Sequence, residues 1–153
     1  MFQWLLLVSR QGRTRLTKWY TPKTQKERAK IIREVSSLVV NRPMKNCNFI
    51  EWKKYKIIYK RYASLFFIVC VDMDDNELIA LEMIHHFVEV LDRYFGNVCE
   101  LDLIFNFHKA YYILDELFLA GELQETSKKL IIRTVSQQDT LQESPGDNTA
   151  SKI

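Results

Sequence analysis

The chain contains no hydrophobic run long enough to cross a membrane. A transmembrane helix needs about 20 consecutive apolar residues, whereas the N-terminal run Trp4–Val8 is short and is soon followed by Arg10. The same run is too short for the apolar region of a signal peptide, and no cleavage site follows it. We therefore expect that any work at a membrane depends on another protein that brings the chain there.

Glycine and cysteine are also scarce. The four glycines fall singly, so no glycine-rich loop is present to cradle a phosphate group. The three cysteines, Cys47, Cys70 and Cys99, are widely spaced and form no CxxC pair. Two of them lie in apolar runs, where a free thiol behaves as a small hydrophobic group. This usage indicates the cytoplasm, a reducing compartment.

The few histidines form no recognisable catalytic or metal-binding arrangement. His85 and His86 are adjacent, and adjacent side chains on a helix point about 100° apart, whereas zinc-binding helices use an i, i+4 pair. His108 stands near Asp102 and Asp115 in sequence, without the spacing that implies a catalytic triad. We predict a protein that is not an enzyme and that needs no metal or cofactor.

What the chain does contain is an ordinary globular composition: 47% hydrophobic residues, 27% charged residues and a net charge of +3. This charge is too small to indicate a nucleic-acid partner. The basic residues gather in two groups, which are either solvated strand faces or a surface for an anionic partner. The groups are Arg10, Arg13, Arg15 and Lys18, and Lys53, Lys54, Lys56, Lys60 and Arg61.

The hydrophobic pattern predicts an α+β domain with a five-stranded antiparallel sheet. Apolar runs and alternation predict strands at 2–8, 14–20, 48–52, 55–59 and 63–71. A capping box at Thr24 and Glu27 predicts a helix between the second and third strands. Asp74 and Glu77 predict the start of another helix, which Gly96 would end.

Helical spacing continues through 105–119, stops at Gly121 and resumes at Thr126. From about residue 138 the chain becomes polar and includes Pro145 and Gly146. We therefore predict a folded domain over 1–137 and a disordered polar tail over 138–153.

Pattern alone leaves the roles of the most suggestive residues open. Arg15 is either a surface arginine on a sheet edge or a guanidinium placed to bind a carboxylate or phosphate. Ala63, Leu65 and Phe67 are expected on one face of a strand, where they are either plain core or, with the small Ala63, the floor of a pocket.

Four long motifs carry more information than periodicity does. They are SRQGRTRLTKWY at 9–20, YKRYASLFF at 59–67, DNELIALEMIHHFVEVLDRYFGNVCELDLIFNF at 75–107 and KAYYILDELFLAGELQETSKK at 109–129. In this order they resemble the small (sigma) subunit of the clathrin adaptor complexes, over residues 1 to about 137. The resemblance implies a longin-like fold, with helices packed on both faces of the sheet. It also implies a subunit that stabilises a heterotetramer and, with a large subunit, binds acidic dileucine sorting signals in cargo tails.

Carried over position by position, the resemblance gives a candidate cargo site. Arg15 falls at the position that contacts the acidic residue of the signal. The dileucine pocket falls on Ala63, Leu65, Phe67, Val88, Asn97, Val98, Leu101 and Leu103.

Within the family, the SRQG motif, the TSKK motif and the tail resemble complex one of the trans-Golgi network and endosomes. The implied partners are a gamma-type large subunit, a beta-type large subunit and a medium (mu) subunit, with clathrin contacted indirectly. The implied location is cytoplasmic and peripheral, on Golgi and endosomal membranes and coated vesicles. The small subunit of the plasma-membrane adaptor is an alternative assignment.

Two further alternatives belong to other classes. A free-standing longin-type regulatory domain ahead of a membrane-fusion helix would continue into heptads, which the polar tail does not show. An RNA-binding sheet would use Tyr59, Tyr62 and Phe66 as stacking residues, but the RRM signature is missing. We therefore predict protein partners and no nucleic acid.

Overall fold

The computed structural model describes residues 2–43, 48–119 and the backbone at 122–123. The described elements form one main sheet, four helices and a short hairpin. In chain order they are β1 (Phe2–Ser9), β2 (Thr14–Trp19), α1 (Gln25–Val40), β3 (Phe49–Trp52), β4 (Tyr55–Tyr62), β5 (Leu65–Asp72), α2 (Glu77–Phe95), α3 (Glu100–Phe105), α4 (Phe107–Leu117), β6 (Phe118–Leu119) and β7 (Glu122–Leu123).

The main sheet is five-stranded, with the spatial order β2-β1-β5-β4-β3 and antiparallel pairing throughout. Strand β5 lies at the centre, and seven of its eight residues are buried. Its nearly continuous apolar run follows from this position, because a central strand covered on both faces has no solvent-facing side. The predicted α+β class and the predicted sheet are confirmed.

Helices cover both faces of the sheet. Helix α1 buries Ile31, Val35 and Val39 against one face, in a cluster that includes Trp4 and Ile68. Helices α2, α3 and α4 cover the other face, in a second and larger cluster. Alternate residues of β1 and β5 belong to opposite clusters because successive strand side chains point to opposite faces.

The predicted helix ends are partly right. The Thr24 side chain accepts a hydrogen bond from the Glu27 N–H at 3.2 Å, so the cap of α1 is confirmed. The cap of α2 is Asn76 rather than Asp74: its side chain accepts from the N–H groups of Leu78 and Ile79 at 2.8 and 3.3 Å. The neighbouring carboxylate of Asp75 instead accepts from the Asp72 N–H, which closes the turn after β5.

The stretch predicted as one helix over 105–119 is divided differently. Helix α3 begins earlier, where the Asp102 carboxylate accepts the N–H of Cys99 at 3.0 Å. The chain then leaves helical geometry at Asn106 (φ −128°, ψ 39°) before α4 begins. Residues 118–119 form β6. The helix predicted from Thr126, the boundary at 137 and the tail over 138–153 lie outside the described residues.

Ala63 does not belong to the central strand, so the predicted strand 63–71 begins two residues too early. Strand β4 continues to Tyr62 and β5 begins at Leu65, which leaves Ala63 and Ser64 as a two-residue turn. Ala63 has φ +53° and is exposed. A positive φ at the first turn residue matches the right-handed twist of the paired strands. The expectation that Ala63 shares a strand face with Leu65 and Phe67 is therefore wrong.

Candidate functional site

Five residues of the predicted dileucine pocket lie in one apolar cluster on the α2 face of the sheet. Leu65 and Phe67 come from β5, Val88 from α2, Val98 from the connection after α2, and Leu103 from α3. Each is between 0 and 3% exposed. The residues are therefore brought together by the fold, but a ligand side chain could contact them only after neighbouring residues move apart.

The other three predicted pocket residues lie at the surface. Leu101 is 59% exposed, and Asn97 and Ala63 are also exposed. Each is within two residues of a buried member of the set, since Ala63 precedes Leu65, Asn97 precedes Val98 and Leu101 precedes Leu103. The predicted set thus divides into a buried apolar group and three exposed neighbours.

Asn97 has a backbone role that sequence comparison alone does not reveal. Gly96 and Asn97 have φ values of +64° and +62°, so two successive residues take the left-handed conformation that ends α2. Glycine takes this conformation without steric penalty, and asparagine tolerates it better than most residues. The polar identity of Asn97 is therefore explained by the turn, whether or not its side chain contacts a ligand.

The Asp92 carboxylate fixes the connection that carries Val98. Its Oδ1 accepts hydrogen bonds from the Tyr62 hydroxyl at 2.6 Å and from the Val98 N–H at 3.0 Å. The hydrogen bond to Asp92 is the main cause of the raised pKa of Tyr62, followed by burial and by the negative charge of Asp92. This arrangement ties β4, α2 and the residues before α3 together.

Sequence reasoning missed Asp92 and Tyr62 as supports of this site. The sequence does contain one indication of this role. Asp92 lies in the last turn of α2, where the helix dipole disfavours a negative charge. An acidic residue in that place is expected to have a compensating partner. Its partners, however, are a side chain 30 residues earlier and a backbone group beyond the cap.

Arg15 forms an ion pair with Glu100. The Arg15 Nη2 and Nε atoms lie 2.6 and 2.7 Å from Glu100 Oε1, and both side chains are 23% exposed. Strand β2 is an edge strand, so Arg15 can meet the first residue of α3 at the border of the sheet. The guanidinium therefore does bind a carboxylate, but one from its own chain.

The contacts of His85 are with side chains of α2 and β4. His85 Nε2 lies 2.5 Å from Glu89 Oε1 on the next turn of α2, and its Nδ1 lies 3.2 Å from Lys60 Nζ. Within the described ranges, no three His, Cys, Asp or Glu residues come together in a way that could hold a metal ion. None of the helices described is both long and apolar enough for a membrane span.

The aromatic residues considered for RNA stacking are not displayed on an open face. Tyr59 and Phe66 are 6 and 9% exposed and belong to the cluster beneath α1. Tyr62 faces the opposite side, where it donates to Asp92. Base stacking needs an accessible ring face, so this sheet offers no stacking platform at these three residues.

Exposed apolar side chains concentrate on α3 and the start of α4. Leu101, Ile104, Phe105 and Phe107 are 39 to 74% exposed. Single exposed apolar residues are ordinary, but a contiguous group of this kind marks an interaction surface. We call these four residues the α3–α4 apolar patch.

Comparison with known proteins agrees with this architecture. A family model described as the clathrin adaptor complex small chain matches residues 1–142. The AP-1 complex subunit sigma-2 of Dictyostelium discoideum is 72% identical over 148 residues, which are 96% of this chain and 96% of that protein. The AP-1 complex subunit sigma-1A of Homo sapiens is 54% identical over 143 residues, covering 94% of this chain and 90% of that one.

Structural comparison gives the same assignment. A chain in a homology model of the full-length AP-3 complex in a stretched open conformation aligns with a TM-score of 0.76 and 30% identity. The alignment covers 98% of this chain and 100% of that chain. A family match over nearly the whole length, high identity to the AP-1 sigma proteins and a shared fold lead to one conclusion. This chain belongs to the clathrin adaptor complex small chain family.

Proposed function

We propose that this chain is the small subunit of a heterotetrameric adaptor of the AP-1 type and that it contributes to binding acidic dileucine signals. As a clathrin adaptor small chain it has a structural role in trafficking. Relatives named as AP-1 sigma subunits, with 54 to 72% identity, support the assignment to complex one. The observation that carries the cargo proposal is the convergence of Leu65, Phe67, Val88, Val98 and Leu103 in one apolar cluster.

The proposed partners are a gamma-type large subunit, a beta-type large subunit and a mu subunit. The α3–α4 apolar patch supports a protein partner, because burying such side chains is the main source of stability in permanent subunit interfaces. Through those partners the chain would lie peripherally on Golgi and endosomal membranes and coated vesicles. Capture of the tagged chain tests the assignment: a co-purifying gamma-type subunit supports complex one, and an alpha-type subunit supports the plasma-membrane adaptor instead.

In the proposed binding step, two leucine side chains of the cargo enter the apolar cluster. Their burial stabilises the bound state by roughly 3–6 kcal/mol before any cost is counted. Loss of translational freedom and ordering of a flexible tail offset much of this. A single signal is then expected to bind weakly, and several contacts at a membrane supply the remaining affinity.

The test of this site is peptide binding to the purified complex, measured by calorimetry. Val98→Ser and Leu103→Ser place a hydroxyl in an apolar environment, at about 1–3 kcal/mol each, so binding of an acidic dileucine peptide should fall below detection. Leu78→Ser is the matched control, because Leu78 is 74% exposed on α2. Both core variants must first be shown to assemble. If assembled variants bind the peptide as the unaltered complex does, the pocket is elsewhere.

A further inference from the structure

We propose that a groove between α1 and the β1–β2 hairpin binds an extended acidic peptide of a protein partner. Two neighbouring cavities, with volumes of about 520 and 300 Å³, form this groove, and Ile32 of α1 lines both. On the side of the sheet, the larger cavity is bounded by Thr17 and Trp19 of β2. The smaller one is bounded there by Gln11 and Gly12 of the β1–β2 turn.

The groove runs along one side of α1. The helix residues at its centre are three or four positions apart, so they share one side of the helix. At a rise of 1.5 Å per residue this row is roughly 22 Å long. An extended chain covers that length in about seven residues. The residues of the row are Gln25, Ala29, Ile32, Ser36 and Val40.

Two buried polar atoms beside the groove have no hydrogen-bond partner among the described residues. They are Ser36 Oγ and Arg28 Nε, and Ser36 is only 6% exposed. Buried polar groups are nearly always hydrogen-bonded, so these atoms point to a ligand that supplies the missing partners after a small side-chain rotation. An extended peptide has free backbone N–H and C=O groups for this purpose, whereas a helix uses its own internally.

The charge of the groove comes from Arg28 and Arg33. None of the described residues that line it is acidic. Neither arginine pairs with a carboxylate in the described part of the chain, whereas Lys30, outside the groove, lies 4.0 Å from Glu34. The Arg28 guanidinium lies 5.4 Å from the centre of the Trp19 ring, which orients it and leaves its charge in place. The groove therefore favours a negatively charged ligand.

The positions of the two arginines predict the spacing of acidic residues in the peptide. Arg28 and Arg33 are five residues apart, which is roughly 7.5 Å along the helix axis. In an extended peptide, side chains two residues apart point the same way and lie roughly 6.6 Å apart. Arginine also binds a carboxylate through paired N–H donors, which adds geometric selectivity. We therefore expect the pattern Glu-x-Glu.

The peptide would lie beside α1 and would not extend the sheet. Strand β2 is an edge strand, but the Tyr111 hydroxyl already donates to the Thr17 carbonyl at 2.8 Å and accepts from the Thr17 N–H at 3.1 Å. Addition of a further strand would have to break both contacts. The groove is also separate from the proposed dileucine pocket, because Ile32 packs on the α1 face of the sheet and the pocket residues lie on the α2 face.

The test uses the whole adaptor complex and the fluorescein-labelled peptide Gly-Glu-Val-Glu-Val-Glu-Gly, with fluorescence anisotropy as the readout. Arg28→Gln and Arg33→Gln should each weaken binding by about fivefold, since each removes a charged contact. Arg33→Gln is the cleaner variant, because Arg28 also contacts Trp19. Arg93→Gln is the matched control: it makes the same change at an exposed residue of α2, on the opposite face. Since all other subunits stay constant, the difference between variants isolates this groove.

Ser36→Ala tests the buried hydroxyl separately from the charges. It should weaken binding of the peptide by about threefold, because a hydrogen bond to the ligand is lost. The melting temperature of the free complex should stay the same or rise, because the variant removes a polar group that has no partner in the free protein. A lower melting temperature with unchanged peptide binding would mean that Ser36 has only a structural role, and would contradict its part in the site.

The order of residues in the peptide tests the predicted spacing. The peptide Gly-Glu-Glu-Val-Val-Glu-Gly has the same composition but no glutamates two positions apart, so it should bind about fivefold more weakly. Replacing each glutamate of the first peptide by glutamine should abolish binding, and higher salt should weaken it.

Four results would overturn the proposal. The first two are no binding of the first peptide to the complex, and equal binding by the unaltered and Arg33→Gln complexes. The third is its displacement by an acidic dileucine peptide, which would place it in the proposed cargo site. The fourth is an Arg33→Gln complex that loses recruitment to phosphatidylserine vesicles but still binds the peptide, since the groove would then face a membrane.

Discussion

Arg15 and Glu100 form an ion pair that joins the edge strand of the sheet to the first turn of α3, with 2.6 Å between Nη2 and Oε1. In the proposed cargo site, Arg15 receives the acidic residue of the signal. That residue and Glu100 would then compete for one guanidinium. In that proposal, Glu100 would affect how strongly the complex binds signals that carry an acidic residue.

Replacing Glu100 by Gln should strengthen binding of an acidic dileucine peptide by about two- to fivefold. A partly exposed ion pair of this kind contributes up to about 1 kcal/mol of stability. In the Glu100→Gln variant the acidic residue of the cargo no longer has to break that pair before it binds Arg15. Calorimetry on the assembled complex measures the change, and the gain should shrink as salt rises. A peptide with Gln in place of its acidic residue is the control, and its affinity should not change.

Arg15→Ser completes this comparison. It should weaken the acidic peptide and leave the Gln-containing peptide nearly unaffected, because the role of Arg15 is electrostatic. If Glu100→Gln weakens the acidic peptide as much as Arg15→Ser does, Glu100 orients Arg15 for cargo, and competition is the wrong explanation.

Ala63→Gly should stabilise the protein by up to about 1 kcal/mol. Alanine at φ +53° carries a steric cost that glycine avoids. Glycine also makes the unfolded chain more flexible, so it loses more conformational entropy on folding, and this offsets part of the stabilisation. Thermal unfolding of the assembled complex measures the effect. Ala29→Gly, in the exposed interior of α1, is the matched control and should destabilise by about 1 kcal/mol. Equal destabilisation by both variants would contradict the left-handed conformation at Ala63.

The Cys70 thiol should resist alkylation in the native protein. It is 0% exposed, and its pKa rises to about 12, mainly through burial and secondarily through the charge of Asp72. The thiolate is the reactive form, so at pH 8 we expect the partly exposed Cys99 to be labelled before Cys70, which should react only on unfolding. Mass spectrometry of the labelled peptides, with Cys99→Ser as control, measures both rates. Rapid native labelling of Cys70 would contradict its burial.

The same thiol makes stability depend on pH in the alkaline range. The unfolded thiol titrates near its ordinary value of 9.0 and the folded one at about 12. Below pH 9 both states keep the proton and stability is unaffected. Between these values only the unfolded state gives up the proton, so stability should fall as pH rises. Cys70→Ala should reduce this slope in a denaturant titration at several pH values.

The division of the chain at residue 137 remains a prediction, and truncation tests it. A chain ending at Gln137 should still assemble with the other subunits, because the polar residues that follow carry little apolar area to bury. Co-purification and thermal unfolding are the measurements. The family match extends to residue 142, so a chain ending at Gln142 is the control. Assembly by the longer chain alone would place the boundary after 137.

Sequence by itself determined the order of the five sheet strands and of the first two helices in the part of the chain described. The apolar run of β5, the Thr24 cap and the Gly96 terminus are local features, and local backbone preference and side-chain periodicity decide them. The candidate site residues were different. Periodicity left Arg15 open between a surface arginine and an anion-binding one, and it left the apolar set open between core and pocket. Only the family resemblance implies that these residues form a cargo site.

Only the tertiary structure decided where these residues lie with respect to one another. Arg15 and Glu100 are 85 positions apart in sequence, and Tyr62 and Asp92 are 30 positions apart. No local pattern encodes such pairs, because they depend on how β2, β4, α2 and α3 pack. The turn at Ala63 was likewise settled by the pairing of β4 with β5, which extends β4 to Tyr62. Short-range chemistry thus gives most of the described elements, and packing between distant elements places the charges and the apolar side chains from which the candidate sites are built.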